Sequence, residues 1–498
     1  MAEFLHGAYG QINAVGSRIA AVSRGAFVYV GTAPVHNIEG GASNLNKPVL
    51  VNTFAEAKKL FGYSDDWASY TLCEAMKVHL EMNGVGPLVL INVLDPTTNK
   101  SATATTATKT PANGKIIITG AEDIILDTVV IKTTASTPVT KVKGTDYTIA
   151  YANGTITITE IGNGLGTAAL TVEYYTIDVT GVTSTTVIGA TDDAGSNTGL
   201  YAVKNVYQLT GQIPAYLAAP GWSSTPAVNA AMHTVSQKIN GHWDAYCFVD
   251  LPISNSGTPL TLDTAVTYKN SNGYTYENET VYFPMAKGTD GAKYHISVLA
   301  AANFQALLVD SDGIPYRSAS NTECAIIENL YFGESVTGRV YDDEIINDKL
   351  NKNGICSAVF VGGRWVIWGA QSAAYTYSEN PTSYIGVFET NIMMLYYISN
   401  DFQARRVFDV DRPMTINDLN TIVSEEQSRL DALLNIGALT YGLVELNAEG
   451  LALSDIVNGD FSFSFNVTAT PLAKSLTAIV NWTDEGFQTY FAGFAGNE

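Results

Sequence analysis

A chain of 498 residues, 46% of them hydrophobic, is long enough for about two to four domains with real cores, which excludes a disordered tail. Only 15% of residues are charged, yet 48 acids against 27 bases leave a formal net charge of −21. That balance argues against nucleic acid and anionic membrane surfaces as partners.

After a small-residue amino segment, GAFVYVGTAP reads as a strand buried on both faces, and PVLV as a short strand. Thr53, three residues before Glu56, then opens a helix that Gly62 stops. A second helix is expected over DDWASYTLCEAMKVHLEMNG, with Leu72, Met76, Val78 and Leu80 inward, followed by a buried strand in GPLVLINVLD. From Pro96 the text turns Thr-rich and alternating. KIIITG, DTVVIKT, DYTIAY, GTITITE and ALTVEYYTIDV read as short strands, with a hairpin at Asn153-Gly154 and no helical pattern. The glycines of GNGLG precede a strand, not a helix, so they read as a hairpin turn, not a phosphate loop. The α/β pattern resumes with IPAYLAAPGW, the helix TPAVNAAMHTVSQKIN and the strand WDAYCFVDLP. Residues 254 to 280 read as loops and exposed strands. A helix over ISVLAAANFQALLVDSDG and two strands about Gly362-Gly363 come next. Two long helices follow, the second with Ile416, Leu419, Ile422, Val423, Leu430 and Leu434 inward and Glu425, Glu426 and Arg429 on the other face. The end is β again: Phe461, Phe463 and Phe465 alternate with small polar residues, and SLTAIVNW, with Leu476, Val480 and Trp482 on one face, reads as the hairpin partner.

The fold class expected is therefore α/β (α+β) and multidomain, with discontinuous core domains, an inserted all-β sandwich-like domain and extended terminal arms. The boundaries read as arm 1–24; middle α/β domain 25–96 and 200–372; Thr-rich insert 97–199; C-terminal inner domain 373–485; and arm 486–498.

Chemistry is sparse. Cys73, Cys247, Cys324 and Cys356 are far apart without a C-x-x-C pair and read as buried thiols of a reducing compartment. The amino end carries Glu3 in place of a basic region, so no signal peptide is expected, and the longest apolar tract is too short to span a bilayer. The six histidines include no H-E-x-x-H pair, and there is no G-x-S-x-G elbow or G-x-x-x-x-G-K-[ST] loop. Asp342, Asp343 and Glu344 read as a solvated helix start more readily than a cation site. No catalytic residue, metal or cofactor is expected, and the chain is read as no enzyme.

The ordered series GAFVYVGTAP, LVNTFAEAKKLFG, LVLINVLD, AYLAAPGW, AYCFVDLP, GGRWVIWGA, ARRVFDVDRPMTINDLN, LLNIGALTYGLVEL and DIVNGDFSFSFNVTATP resembles the contractile tail sheath family of bacteriophages and phage-like bacteriocins. It departs at Gln371 and Ser372, where the family often has Arg-Thr. The resemblance implies a subunit of stacked hexameric rings around an inner tube, contracting to drive that tube through a target envelope. Implied partners are further copies of the chain, the inner tail tube protein, and baseplate and tail terminator proteins, in a virion or phage-like particle assembled in host cytoplasm. It also implies terminal arms that donate strands to neighbours. Tyr9, Ile12, Val15 and Ile19 at one end and Phe487, Tyr490, Phe491 and Phe494 at the other are the expected arm contacts. The hairpin of Phe461, Phe463, Phe465, Leu476 and Val480 is the expected receiver, since an exposed sheet edge invites an added strand. Arg405, Arg406, Glu425 and Glu426 are the tube-facing candidates. The alternative reading is a β-rich surface or adhesive protein with a glycan-binding insert.

Overall fold

The computed structural model describes residues 25–378, 383–447, 453–487 and 490. The first strands and helices alternate as expected: β1 (Ala26–Gly31), β2 (Val49–Val51), α1 (Phe54–Phe61), α2 (Leu72–Ala75) and β3 (Leu88–Asn92). Thr53 caps α1 by accepting from the Glu56 N–H, as its spacing predicts. The helix expected from residue 65 starts only at Leu72 and continues as a π-helical stretch, Met76–Met82. Residues 65 to 71 form turns instead, because the Ser64 and Asp66 side chains accept the local N–H groups of Asp66 and Ser69.

Six antiparallel strands follow: β4 (Thr105–Lys109), β5 (Lys115–Thr119), β6 (Val130–Thr133), β7 (Tyr147–Ala152), β8 (Thr155–Glu160) and β9 (Leu170–Tyr174). They make two three-stranded sheets, β4-β9-β6 and β5-β8-β7, around a core that includes Ile116, Ile118, Ile131, Ile156, Ile158 and Val172. The β7–β8 turn is built as its sequence demands, with Asn153 and Gly154 both at positive φ, 47° and 72°. GNGLG joins β8 to β9, which lie in different sheets, so it is a crossing between sheets and not a hairpin turn. Two 3-10 turns, Leu126–Thr128 and Val179–Gly181, and one α-helical turn, α3 (Ser184–Ile188), held by a Thr183–Thr186 capping box, interrupt the expected absence of helix in 97–199.

Beyond it lie α4 (Val206–Thr210), β10 (Pro214–Ala218), α5 (Pro226–Val235), β11 (Tyr246–Asp250) and a two-residue ribbon, β12 (Ser254–Asn255) with β13 (Thr258–Pro259). The stretch read as loops contains α6 (Leu262–Ser271), started by a capping box of Thr261 and Thr264, before β14 (Glu279–Tyr282). A side sheet of β15 (Met285–Gly288), β16 (Lys293–His295) and β17 (Ile327–Tyr331) flanks the long helix α7 (Ile296–Asp310). After α8 (Asp343–Lys349), β18 (Ile355–Val361) and β19 (Arg364–Trp368) turn about Gly362 and Gly363. Asp342 accepts the Ile345 N–H as the cap of α8, so the acidic cluster there is a helix start.

The central sheet runs β19-β18-β14-β11-β10-β1-β3-β2, parallel except at its two outermost strands. Its inner strands β1, β3 and β11 are buried on both faces, which is why they read as continuous apolar runs. All four cysteines are buried free thiols.

The C-terminal region consists of α9 (Glu389–Arg406), α10 (Ile416–Asn435), β20 (Leu439–Leu446), α11 (Leu453–Asn458) and β21 (Phe463–Ala469). Here the structure corrects the expected hairpin. β21 pairs with β20, Leu446 opposite Phe463 and Val444 opposite Phe465, and not with the SLTAIVNW segment. The reason lies in packing: Phe463 and Phe465 meet Phe402 of α9, and only β20, laid on α10, brings a second strand beside that layer. Residues 470–483 carry no helix or strand, so Leu476 and Val480 do not belong to the ribbon.

Candidate functional site

Two regions gather the residues that sequence pointed to. The first is the surface around β20, β21 and the segment after them. Leu476 is 90% exposed, Val480 90%, Ile479 82% and Trp482 79%, in a chain that buries almost every comparable side chain of its central sheet. Such a contiguous apolar stretch marks a contact surface. Lys474 lies 5.1 Å over the Tyr377 ring and roots the segment against the loop that follows β19. Past it, Trp482 meets Phe487 at 6.4 Å, and Glu485–Phe487 and Tyr490 are helical, not extended. The terminal stretch read as a donated strand is thus helical at Phe487 and Tyr490. Asp484 and Glu485 at its start favour that conformation through the helix dipole. Tyr9, Ile12, Val15, Ile19, Phe491 and Phe494 lie outside the described residues.

The second region joins α9 to α10. Glu426 is 1% exposed, so the face on which sequence placed it is wrong. Both arginines converge on it. Arg405 Nη2 donates to Oε2 at 2.7 Å and Nη1 to Oε1; Arg406 Nε donates to Oε1 at 2.8 Å. Arg406 also reaches Glu425 at 2.8 Å, Arg405 reaches Asp401 at 3.0 Å, and Arg429 reaches the same Asp401 oxygen at 3.1 Å. Burial alone would raise the Glu426 pKa; the bonds from Arg405 and Arg406 outweigh it and hold the carboxyl below its usual range. Arg405, Arg406 and Glu426 therefore clamp two helices together, and only Glu425 of the four is largely exposed. Beyond the clamp, at the tip between α9 and α10, Val407, Phe408, Val410 and Ile416 are exposed.

Sequence reasoning missed one polar cluster entirely. At the carboxyl edge of the central sheet the chain order switches sides between β1 and β10, where open α/β folds commonly take ligands. Here the protein's own carboxylates occupy the place. Glu74, fully buried, accepts the His295 N–H and Nδ1–H, both at 2.6 Å, and Asp250 accepts the Ser297 N–H at 3.1 Å and its hydroxyl. Two carboxyl groups thus accept from the first turn of α7, and burial raises the Asp250 pKa. Burial would lower the His295 pKa, but the adjacent Glu74 charge and hydrogen bond, with Asp250 behind, raise it from 6.5 to about 9. A raised folded-state pKa means that the stabilisation is complete below 6.5 and is lost as pH climbs through about 9. Denaturant titrations across that window are expected to show falling stability for the native chain and a flatter profile for His295→Gln. The signal that sequence carried, a Glu, an Asp and a His at positions 74, 250 and 295, has no recognisable spacing. Among the described residues, no group of His, Cys, Asp and Glu is arranged to hold a metal ion, and no helix is long and apolar enough to cross a membrane.

No protein-family model matches the chain. It is 24% identical over 510 residues, covering 99% of both chains, to the tail sheath protein of Burkholderia phage BcepMu. The chain is related to phage tail sheath proteins. A second relative of the sheath type, the major tail sheath protein of Serratia phage KSP20, is 21% identical over 314 residues, 62% of this chain and 74% of that one. Solved structures similar to this chain share its fold at low identity. A chain of the PVC extracellular contractile injection system sheath complex in the contracted state has a TM-score of 0.54 at 12% identity, covering 98% of this chain and 99% of that one. A chain of the anti-feeding prophage baseplate has a TM-score of 0.53 at 12% identity, covering 97% and 100%. A sheath tail protein from Desulfitobacterium hafniense has a TM-score of 0.50 at 13% identity, covering 89% and 94%.

Proposed function

We propose that this chain is the structural subunit of a contractile tail sheath in a phage or phage-like particle, polymerising with copies of itself. In this reading rings of six subunits stack around an inner tube, meet baseplate and terminator proteins at the ends, and assemble in host cytoplasm. The observation that carries it is the match over 99% of both chains to a tail sheath protein, and the exposed apolar segment 475–482 supports it independently. The adhesive reading draws no support from any relative.

Within the subunit, residues 25–96 and 200–372 act as a middle α/β domain, 97–199 as an insert with its own core, and 373–474 as the inner domain. Residues 1–24 and the chain beyond 474 serve as arms. The donated strand is 475–482, which has no strand partner among the described residues and alternates Leu476, Ala478, Val480 and Trp482. Because donor and acceptor are different surfaces, the contact is heterologous and propagates as a helix. Contraction is then a repacking of rigid subunits about persistent strand pairing, with no cofactor consumed. For the tube-facing role, Glu425 and the apolar tip at Phe408 are the available surfaces, since Arg405, Arg406 and Glu426 are committed to the helix clamp.

Electron microscopy of the purified protein is expected to show hollow, striated sleeves; a protein that stays monomeric at high concentration and salt, with or without tube protein, overturns the proposal.

A further inference from the structure

The ribbon of β20 and β21 has two outer edges, and the two are not equivalent. In an antiparallel pair, opposed residues alternate between those that exchange backbone hydrogen bonds and those whose N–H and C=O point away. The Asn447 N–H donates to Ser462 O at 3.0 Å, so that pair is bonded. Counting along the register, Glu445 with Ser464 and Leu443 with Asn466 are bonded too, while Val444, Gly442, Phe465 and Val467 turn their backbone groups outward.

On β20 those outward groups are already taken. Val444 N–H donates to Gln427 Oε1 at 2.9 Å, and Gln427 Nε2 donates to Gly442 O at 3.1 Å. A side-chain amide thereby supplies the donor and acceptor that a neighbouring strand's peptide would. Its orientation is set by Asp431, one turn further along α10, which accepts from the same Nε2 at 2.9 Å. Gly442 lets α10 approach this closely: a Cβ there would lie 3.1 Å from Leu430 Cβ. On β21 the matching groups of Phe465 and Val467 face outward, and no other strand among the described residues pairs with that edge.

We propose that Gln427 caps the β20 edge, so that residues 475–482 of a second copy add only to the outer edge of β21. This rests on the proposed strand donation. The occupant is argued from the exposed Leu476, Ile479, Val480 and Trp482, which have no strand partner among the described residues. The cap is a means of protecting an edge, one that leaves a single productive mode of addition.

Cysteine crosslinking tests it, since all four native cysteines are buried. Tyr441 and Thr468 are cross-strand neighbours, both exposed. A strand added beyond β21 lies about 5 Å from it and about 10 Å from β20, and a disulfide needs Cα atoms within about 7 Å. Chains with Thr468→Cys, mixed with chains carrying one cysteine at a position from 476 to 481 and oxidised after assembly, are expected to give cross-chain disulfides at alternate positions. Tyr441→Cys is expected to give none. Adding Gln427→Ala, or Gln427→Met to keep the side chain's length without its amide, is expected to open crosslinking at Tyr441→Cys. Crosslinking at Tyr441→Cys with Gln427 intact, or none there in either Gln427 variant, overturns the cap. Sleeves that form with no crosslink at either strand instead overturn strand donation itself.

Discussion

Truncation after Lys474 is expected to yield a folded chain that no longer forms sleeves. Residues 475–487 contribute nothing to the described cores, and Leu476, Ile479, Val480 and Trp482 are 79% to 90% exposed. Their loss should therefore leave the thermal unfolding midpoint close to that of the full chain. In assembly the same residues matter greatly. An added strand brings several backbone hydrogen bonds of about 1 kcal/mol each and buries large side chains at about 2 kcal/mol apiece. Sedimentation and electron microscopy read the outcome. Truncation after Glu485 is the informative contrast, because it removes Phe487 and Tyr490 but spares 475–482. Sleeves from the shorter deletion and none from the longer one assign the donor to 475–482; sleeves from both remove strand donation by this segment altogether.

Glu426→Ala is expected to destabilise the chain far more than any other acidic substitution in the α9–α10 network. It leaves Arg405 and Arg406 converging on the place of a carboxylate that is 1% exposed. Breaking a buried ion pair by removing one partner costs about 3 kcal/mol when the other partners are partly open to water. Glu425→Ala, at the exposed end of the same network, should cost about 0.5 kcal/mol. Chemical denaturation of the two variants checks the ordering, and equal losses would show that the network is not focused on Glu426. The pH sign follows from the depressed Glu426 pKa. The contribution is present above the unfolded carboxyl value of 4.5 and is lost as pH falls through the lower folded value. Glu426→Gln should therefore show a shallower acid limb than the native chain.

Local signals along the chain carried much of the architecture. Buried strands announced themselves as apolar runs because a parallel sheet is covered on both faces, as at Ala26–Gly31 and Leu88–Asn92. Caps and turns set by one or two residues, such as Thr53 and Asn153-Gly154, were equally legible because their geometry is local. Helices α3 and α6 were missed because each rests on a Thr–Thr capping box in polar text, with too short an apolar stripe to read.

What the chain alone determined, then, is the order of most of its elements and the presence of a sticky, alternating segment near its end, since both follow from side-chain type and spacing. Tertiary structure decided which partners those elements meet. Phe463 and Phe465 pair beside β20 because Phe402 and α10 bring that strand to them, and SLTAIVNW is left without a strand partner among the described residues. Glu426 turns inward because two arginines a helix away await it, and Gln427, its neighbour, reaches a strand edge. None of these contacts is local in sequence, so no periodicity could have carried them; each depends on distant segments packed to within hydrogen-bond distance.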